Sequence, residues 1–352
     1  MNPRWKHRPP GSNWGEFGPD DQRGRLNWVT REKVLQGVAE VREGLSFLLS
    51  LPLDYPGGNS LNPRRHPPRR FATLRDSGPN AGRQNFCYPV SADNPAYTDV
   101  VCDDVVLMTL QYSSQWDSFA HVGSQFDADG DGTPEMVFYN GWRAGEHIVP
   151  AQDNPQAEPW ARYENPQAKR LGIEGMAAHG VQGRAVLADL HAHFGRERRP
   201  VGYDDLMRVM EADKVEVEKG DMLCLHTGFA EVLLELKKSP DPKLLSSTCS
   251  GLDGRDEKLL QWITDSGLAV LIADNYAVEL IPTSPFKPVP HASMPLHEHC
   301  LFKNGIHLGE IWYLTALARW LREHGRNRFL LTAPPLNLPG AVGSPATPVA
   351  TV

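Results

Sequence analysis

The apolar residues of this chain fall into short runs separated by segments in which they recur at helical spacing. The runs predict strands, and the nearly continuous ones predict buried strands; they cover residues 46–51, 104–110, 184–190, 221–228 and 268–274. Helical spacing predicts helices at residues 203–210, 259–266 and 312–324. Strands that alternate with helices indicate an α/β fold in which helices pack on a sheet.

The first part of the chain has a different character. Residues 1–27 are rich in Pro, Gly, Asn and Asp and predict an extended arm, after which Thr30 is the predicted N-cap of a helix ending at Glu43. We therefore interpret residues 1–45 as an arm and helix. Because no break between residues 100 and 330 resembles a boundary, residues 46–352 are interpreted as one large domain.

Residues 54–100 predict a long loop-rich segment, and such loops usually bind something or cover a partner subunit. The formal charge of −7 argues against a nucleic-acid or anionic-membrane surface. Five scattered cysteines without a C-x-x-C pair argue against a disulfide framework and favour a reducing compartment. No run approaches the roughly 20 apolar residues of a membrane helix. These features predict a cytoplasmic protein with a small-molecule substrate.

One short stretch combines three groups that bind metals. His121, Gln125 and Asp127 offer an imidazole, an amide oxygen and a carboxylate within seven residues. Imidazole and carboxylate are standard ligands of zinc and manganese. Their spacing does not fit one face of a helix, so a loop must bring them together. The alternative is a single core histidine followed by a polar turn.

The next residues resemble half of a calcium loop. Asp127, Asp129 and Asp131 stand at the first, third and fifth positions, with a glycine at the sixth. The twelfth position carries Phe138 where such a loop needs Glu. An Asp/Gly turn beside a site is therefore the preferred interpretation.

Other candidates lie near the C-terminus. His297 and Glu310 flank a short apolar stretch, and Glu310 would open the last predicted helix, where a carboxylate suits the helix dipole. His299 and His307 are expected at the surface. Asn275 follows a predicted strand end, where α/β proteins place their sites, and could orient a substrate carbonyl.

Together these segments resemble the cyclase family, which includes kynurenine formamidases and isatin hydrolases. The hallmark of that family, H-x-G-T-H-x-D, is similar to His-Val-Gly-Ser-Gln-Phe-Asp at residues 121–127. Further similar blocks occur in the same order at residues 12–22, 114–118, 138–141, 219–223, 227–228, 273–275, 295–297, 308–310 and 343–345.

The resemblance implies a swivelling β/β/α fold, with a central mixed barrel-like sheet flanked by helices, assembled as a homodimer or homotetramer. It also implies metal-assisted hydrolysis of an amide, formamide or lactam-like C–N bond, with zinc or manganese as cofactor. In family terms, His121 and Asp127 would be ligands. His297 and Glu310 would complete a second metal site or act as acid and base.

The chain departs from the hallmark at two positions. Gln125 replaces the middle histidine, and Asp131 stands where a further histidine often follows the metal-binding Asp. We therefore expect one ion on His121 and Asp127, with Gln125 as a ligand or a neighbour of one. The proton of the attacking water would pass to His297, Glu310 or Asp131.

The substrate pocket is predicted from aromatic and polar residues in the similar blocks. Trp14, Trp116 and Tyr139 are expected either as pocket walls or as core residues, and the backbone near Ser344 is expected to stabilise an oxyanion. Two alternative functions remain open. The chain could act on another cyclic or ester substrate, or it could be a catalytically silent binding protein of the same fold.

Overall fold

The computed structural model describes residues 4–282 and 290–352. In this part of the chain the strands are, in order, β1 (Ser46–Leu48), β2 (Arg69–Ala72), β3 (Tyr88–Pro89), β4 (Val100–Val101), β5 (Asp104–Leu107), β6 (Gln115–Asp117), β7 (Ser124–Phe126), β8 (Glu135–Val137), β9 (Ile148–Val149), β10 (Gln152–Asp153), β11 (Tyr163–Glu164), β12 (Gln167–Ala168), β13 (Gln182–Asp189), β14 (Pro200–Val201), β15 (Met222–His226), β16 (Gly251–Leu252), β17 (Val270–Ala273), β18 (His307–Glu310), β19 (Arg328–Thr332), β20 (Gly343–Pro345) and β21 (Val349–Thr351).

The same described residues contain fewer α-helices than strands. They are α1 (Arg31–Ala39), α2 (Glu174–His179), α3 (Leu190–Phe194), α4 (Tyr203–Ala212), α5 (Phe229–Glu235), α6 (Pro242–Leu245), α7 (Glu257–Asp265), α8 (Pro295–His297) and α9 (Thr315–Glu323). A π-helical turn over Glu298–Lys303 continues α8. None of these helices has the length and apolar character needed to span a bilayer.

One large curled sheet, a half-barrel flanked by helices, organises the described residues. Its strand order is β1-β21-β19-β13-β15-β17-β18-β6-β20. The four central strands β13, β15, β17 and β18 run parallel, and the strands on either side of them run antiparallel. The predicted α/β fold with a mixed, barrel-like sheet is therefore confirmed.

The central strands are apolar because both faces of the sheet are covered. In β15, Leu223 and Leu225 pack in one core cluster, whereas Met222 and Cys224 pack in another. Successive side chains of a strand point to opposite faces, so the sheet has a core on each side. The predictions at residues 184–190, 221–228 and 268–274 are confirmed for this reason.

Close backbone contact fixes α1 on the sheet. The helix begins after Thr30, as predicted, but it ends at Ala39 rather than at Glu43. A Cβ placed on Gly37 would lie 2.7 Å from the backbone carbon of Gly183 in β13. Only glycine permits this approach between the helix and the strand.

The segment at residues 104–110 was predicted to be a buried strand, and the prediction of burial is wrong. Strand β5 is largely exposed and pairs only with β2, outside the large sheet. Together with the pair β3–β4 it forms a surface excursion, residues 68–107, called here the hairpin module. A run of β-branched residues predicts an extended strand, but it does not distinguish a central strand from an exposed hairpin.

The C-terminal helix also begins later than predicted. Helix α9 begins at Thr315, and Glu310 is the last residue of strand β18 rather than the first residue of that helix. His307, expected at the surface, is buried in the same strand and stacks on Phe119 with ring centroids 3.9 Å apart. The side chains of His307 and Glu310 are therefore both buried within the sheet.

Candidate metal centre

The edge of the sheet brings together two polar strand segments. Glu310 is the carboxyl-terminal residue of β18, and the antiparallel neighbour β6 begins with Gln115 directly opposite it. Asp117 ends β6, and all three side chains are almost inaccessible to solvent. Ligands in parallel-stranded sheets bind at the carboxyl ends of strands, which is where this group lies.

Three side chains at this edge form a compact group of ligand atoms. Asp117, His297 and Glu310 each direct one nitrogen or oxygen to within 4.8 Å of the others. His297 Nε2 lies 3.1 Å from Glu310 Oε1 and 4.0 Å from Asp117 Oδ2. We refer to these three residues as the acidic triad.

A glutamine holds the two carboxylates of the acidic triad. The Gln115 amide donates hydrogen bonds to Glu310 Oε2 at 3.0 Å and to Asp117 Oδ1 at 3.3 Å. Its amide oxygen lies 3.5 Å from Arg65 Nη1, which also donates to the Gln111 carbonyl at 2.8 Å. Gln115 thus positions both carboxylates, and its orientation is in turn set by an arginine.

The orientation of the His297 ring is fixed by Glu279, on the side of the ring away from the acidic triad. Glu279 Oε1 lies 2.8 Å from His297 Nδ1, and the Glu279 carboxylate also accepts the backbone N–H groups of Leu296 and His297 at 3.1 Å each. A proton on Nδ1 satisfies this contact, and Nε2 faces the acidic triad. A carboxylate behind the histidine is the usual arrangement at metal sites.

His121 provides the solvent-facing side of the group. Its Nε2 lies 3.8 Å from Asp117 Oδ1, and its side chain is 20% exposed. Every other side chain of the group is buried. A molecule approaching from solvent therefore meets His121 first.

Burial and crowding shift the titration of these groups. Burial, together with the charge of Glu310, raises the pKa of Asp117 to about 8. Burial would lower the pKa of His297, but its contacts with Glu279 and Glu310 outweigh this effect and raise the value to about 10. Burial and the charge of His297 lower the pKa of His121 to about 4. Two carboxylates this close ionise together only when a positive charge lies between them.

The chemistry of the group fits a divalent cation. Asp117 Oδ2 is buried and has no hydrogen-bond partner among the described residues. An unsatisfied buried carboxylate oxygen costs free energy unless something binds it. Because Asp117, Glu310 and an imidazole face the same point, a cation would satisfy that oxygen and neutralise the repulsion.

The structure groups only some of the residues predicted as ligands and bases. His121, His297 and Glu310 do come together, but with Asp117 rather than with Gln125, Asp127 or Asp131. Gln125 is exposed in β7 and lines a surface cavity of about 560 Å³.

The predicted calcium-like segment forms an Asp/Gly turn, which was the preferred interpretation. The Asp127 carboxylate accepts the backbone N–H groups of Gly130, Asp131 and Gly132. Asp131 is exposed and accepts the N–H of Thr133. Asp127 belongs to a different acidic group, with Asp129 and Glu135.

The predicted pocket residues are mostly structural. Trp14, Trp116 and Tyr139 are fully buried, and the first two donate their indole N–H groups to backbone carbonyls at 2.8 Å. Ser344 is also buried, and its hydroxyl contacts the backbone within its own region. Core packing, the alternative stated for the aromatic residues, is what the structure contains.

Asn275 is the exception. Its side chain is buried, with 4% of the residue's surface exposed. Together with Glu279 it lines a cavity of about 230 Å³, and its Oδ1 has no hydrogen-bond partner among the described residues. Glu279 contacts His297 on its other side, so this carboxylate lies between the cavity and the acidic triad.

Sequence reasoning missed Asp117, Gln115 and Glu279. A signal for the first two was present, because the segment Ser-Gln-Trp-Asp at residues 114–117 is similar to the T-H-x-D half of the hallmark. In that register His121 is the histidine four residues after the Asp. Both hallmark histidines then become glutamines, at Gln111 and Gln115. Glu279 carried no signal, since its role depends on a contact 18 residues away along the chain.

Comparison with known proteins agrees with this fold. The chain matches the Cyclase family model over residues 84–280. The crystal structure of a novel cyclase superposes with a TM-score of 0.72 at 28% identity, covering 98% of this chain and 100% of the other.

More distant structures share the fold. Isatin hydrolase A from Labrenzia aggregata, bound to benzyl benzoate, gives a TM-score of 0.54 at 12% identity and covers 91% of this chain and 98% of that one. Isatin hydrolase A from Ralstonia solanacearum gives 0.52 at 12%, covering 91% and 97%. No curated protein sequence matches the chain. Since the family model spans more than half of its length, the chain belongs to the Cyclase family.

Proposed function

We propose that this protein is a metal-dependent hydrolase that cleaves an amide, formamide or lactam-like C–N bond. The observation that carries the proposal is the convergence of Asp117, His297 and Glu310 around an unsatisfied buried carboxylate oxygen. Family membership and the fold shared with isatin hydrolases support the same reaction class.

The acidic triad would hold one zinc or manganese ion, and His121 would stand beside that ion without binding it. Such an ion supplies Lewis acidity and lowers the pKa of a water from about 15.7 toward 7. Gln115 is placed to fix the two carboxylates rather than to bind a second ion, because its amide N–H group, not its oxygen, faces them.

The side chains around the triad supply the remaining chemistry. Glu279 orients His297 through Nδ1, so that its ring cannot rotate out of the site. His121 is the solvent-facing imidazole, and we assign it the removal of a proton from the attacking water. Its position at the entrance lets it pass that proton to the leaving nitrogen.

The neighbouring cavity favours an amide over an ester. Asn275 lines the cavity on the far side of Glu279, and its Oδ1 is an acceptor without a partner among the described residues. An amide or lactam N–H group would satisfy this oxygen, whereas an ester would leave it unpaired at a cost of about 1–3 kcal/mol.

Two matched variants test the proposal. The protein is loaded with zinc or manganese, its metal content is measured, and hydrolysis of N-formylkynurenine, isatin and simple lactones is assayed. We expect Asp117→Asn to lose both metal and turnover, and Asp127→Asn to retain both.

The opposite pattern would return the site to residues 121–127. Hydrolysis of lactones without any amide substrate would favour the ester alternative. A folded protein that binds no metal under any of these conditions would favour a binding protein.

A further inference from the structure

Two cysteines face each other in the hairpin module. Cys87 precedes β3 and Cys102 follows β4, one position beyond the antiparallel pair Tyr88–Val101. Their sulfur atoms lie 3.8 Å apart, and the Cys102 sulfur also accepts the backbone N–H of Cys87 at 3.1 Å. The strand pairing therefore holds the two thiols in contact.

These two thiols differ from the other cysteines in accessibility. Cys87 and Cys102 are exposed, whereas Cys224, Cys249 and Cys300 are buried. Directly opposite residues of an antiparallel pair have Cα atoms about 4.5–5.5 Å apart, which lies within the range that a disulfide spans. Cys87 lies just outside the strand and has a left-handed backbone, with a φ of 53°. Its sulfur lies 3.8 Å from that of Cys102, so a disulfide bond of about 2.05 Å requires the two sulfur atoms to move closer.

We propose that Cys87 and Cys102 form a reversible disulfide by exchange with a low-molecular-weight disulfide such as oxidised glutathione. One thiolate attacks the small disulfide, forms a mixed disulfide and releases one small thiol. The second thiolate then attacks the protein sulfur of that mixed disulfide and releases the other small thiol. The two cysteines together lose two protons and two electrons, which the small disulfide gains.

The cross-link would stiffen a part of the molecule that has little core of its own. On one side of the pair, Asp93 joins Arg75, Asn80 and Tyr88 through hydrogen bonds. The disulfide would add a covalent tie across the base of the β3–β4 pair, so that the module opens less often. Closing a loop of about 15 residues restricts the opened state substantially.

The experiment treats the reduced full-length protein with oxidised glutathione, then alkylates it under native conditions and measures intact mass. We expect a monomer that has lost two hydrogen atoms and takes up no alkyl group, whereas the reduced protein takes up two. Protease cleavage within residues 88–101 should slow about tenfold after oxidation.

Three variants complete the test. Cys102→Ser and Cys87→Ser should each stop at one glutathione adduct, and the buried-site control Cys249→Ser should still form the disulfide. Two glutathione adducts on one wild-type chain, or a covalent dimer, would overturn the proposal. So would a protein that alkylates at both exposed cysteines but does not react with oxidised glutathione, or one whose cleavage rate is unchanged by oxidation.

Discussion

At the scale of single residues, Glu279 has a role that can be separated from metal binding. Its carboxylate contacts His297 Nδ1 and accepts the backbone N–H groups of Leu296 and His297, and it is not itself part of the acidic triad. A carboxylate in this position fixes the tautomer of the ring and makes its other nitrogen a better ligand.

We therefore predict that Glu279→Gln weakens metal affinity by about 10- to 100-fold. Competition with a chelator of known affinity measures this change. Glu298→Gln is the matched control, because Glu298 bonds to Ser124 and Lys303 and makes no contact with the His297 ring. Equal metal affinity in wild type and Glu279→Gln would remove the assigned role.

Gln115 and Gln125 each align with the middle histidine of the hallmark in one of the two registers, and variants of both provide a second test. Gln115 contacts Asp117 and Glu310, whereas Gln125 lies exposed in a separate hairpin. An imidazole can bridge or bind ions where an amide N–H group cannot.

Gln115→His should therefore raise the metal content above one equivalent, toward two, while Gln125→His should leave it unchanged. Elemental analysis of both variants after dialysis gives the answer. An increase only in Gln125→His would show that the hallmark lies at residues 121–127.

The site could be predicted from the sequence only in part, and His121 explains why. This residue is the first histidine of the hallmark when the hallmark is placed at 121–127. It is the histidine four residues after the Asp when the hallmark is placed ten residues earlier. Sequence spacing alone cannot choose between these registers. The choice depends on which carboxylate faces His297 and Glu310, and that is decided by the antiparallel pairing of β6 with β18.

At the scale of elements, ion pairs at the start of α4 illustrate how pH would act on a helix. Asp205 accepts hydrogen bonds from Arg199 and Arg208 at 2.6–3.1 Å. Burial would raise the pKa of Asp205, but the two arginines outweigh it and lower the value. A carboxylate whose pKa is lowered in the folded state stabilises the fold when the pH lies above the ordinary pKa of the group. This stabilisation is lost as the pH falls through the lowered pKa.

We predict that Asp205→Asn lowers the free energy of unfolding by about 1 kcal/mol at pH 7. The difference from wild type should shrink as the pH falls below about 4, the ordinary range for Asp. Urea unfolding at a series of pH values measures both effects.

Asp204→Asn serves as the control, since Asp204 shares the first turn of α4 but is exposed. A difference between Asp205→Asn and wild type that is as large at pH 3 as at pH 7 would mean that lost packing, rather than charge, causes the destabilisation.

Elements were predictable where burial decides the sequence pattern. β13, β15 and β17 are covered on both faces of the sheet, so each contains a nearly continuous apolar run. The exposed strand β5 carries a similar apolar run for a different reason, which the pattern does not record. The sequence predicts Glu310 at the start of a helix, whereas it ends strand β18. A carboxylate is suited to either position, so the residue type does not distinguish them.

At the scale of the whole molecule, the hairpin module is separable from the sheet. Among the residues that the structure describes, its strands pair with one another and not with the large sheet. The two ends of the module meet where the Thr109 hydroxyl accepts the His66 N–H at 3.2 Å. It exposes large apolar side chains, including Leu74 at 67%, Val100 at 63% and Val105 at 50%. Exposed apolar surface of this kind commonly marks an interface between proteins.

We predict that replacing residues 68–107 with a short Gly/Ser linker preserves the fold and shifts the predicted homodimer or homotetramer to a monomer. Light scattering measures the mass, and thermal unfolding should change by no more than about 4 °C. The triple variant Leu74→Ser, Val100→Ser, Val105→Ser is the control that keeps the backbone of the module. An oligomer that survives the replacement would place the interface elsewhere.

The buried acids around His297 have a consequence for the protein inside a cell. Asp117, Glu279 and Glu310 lie almost without solvent in one region, so the ion that we propose there would also favour the folded chain by mass action. Chains synthesised when such ions are scarce would open more often and reach proteases sooner. The amount of this protein would then follow the supply of metal, even with constant synthesis.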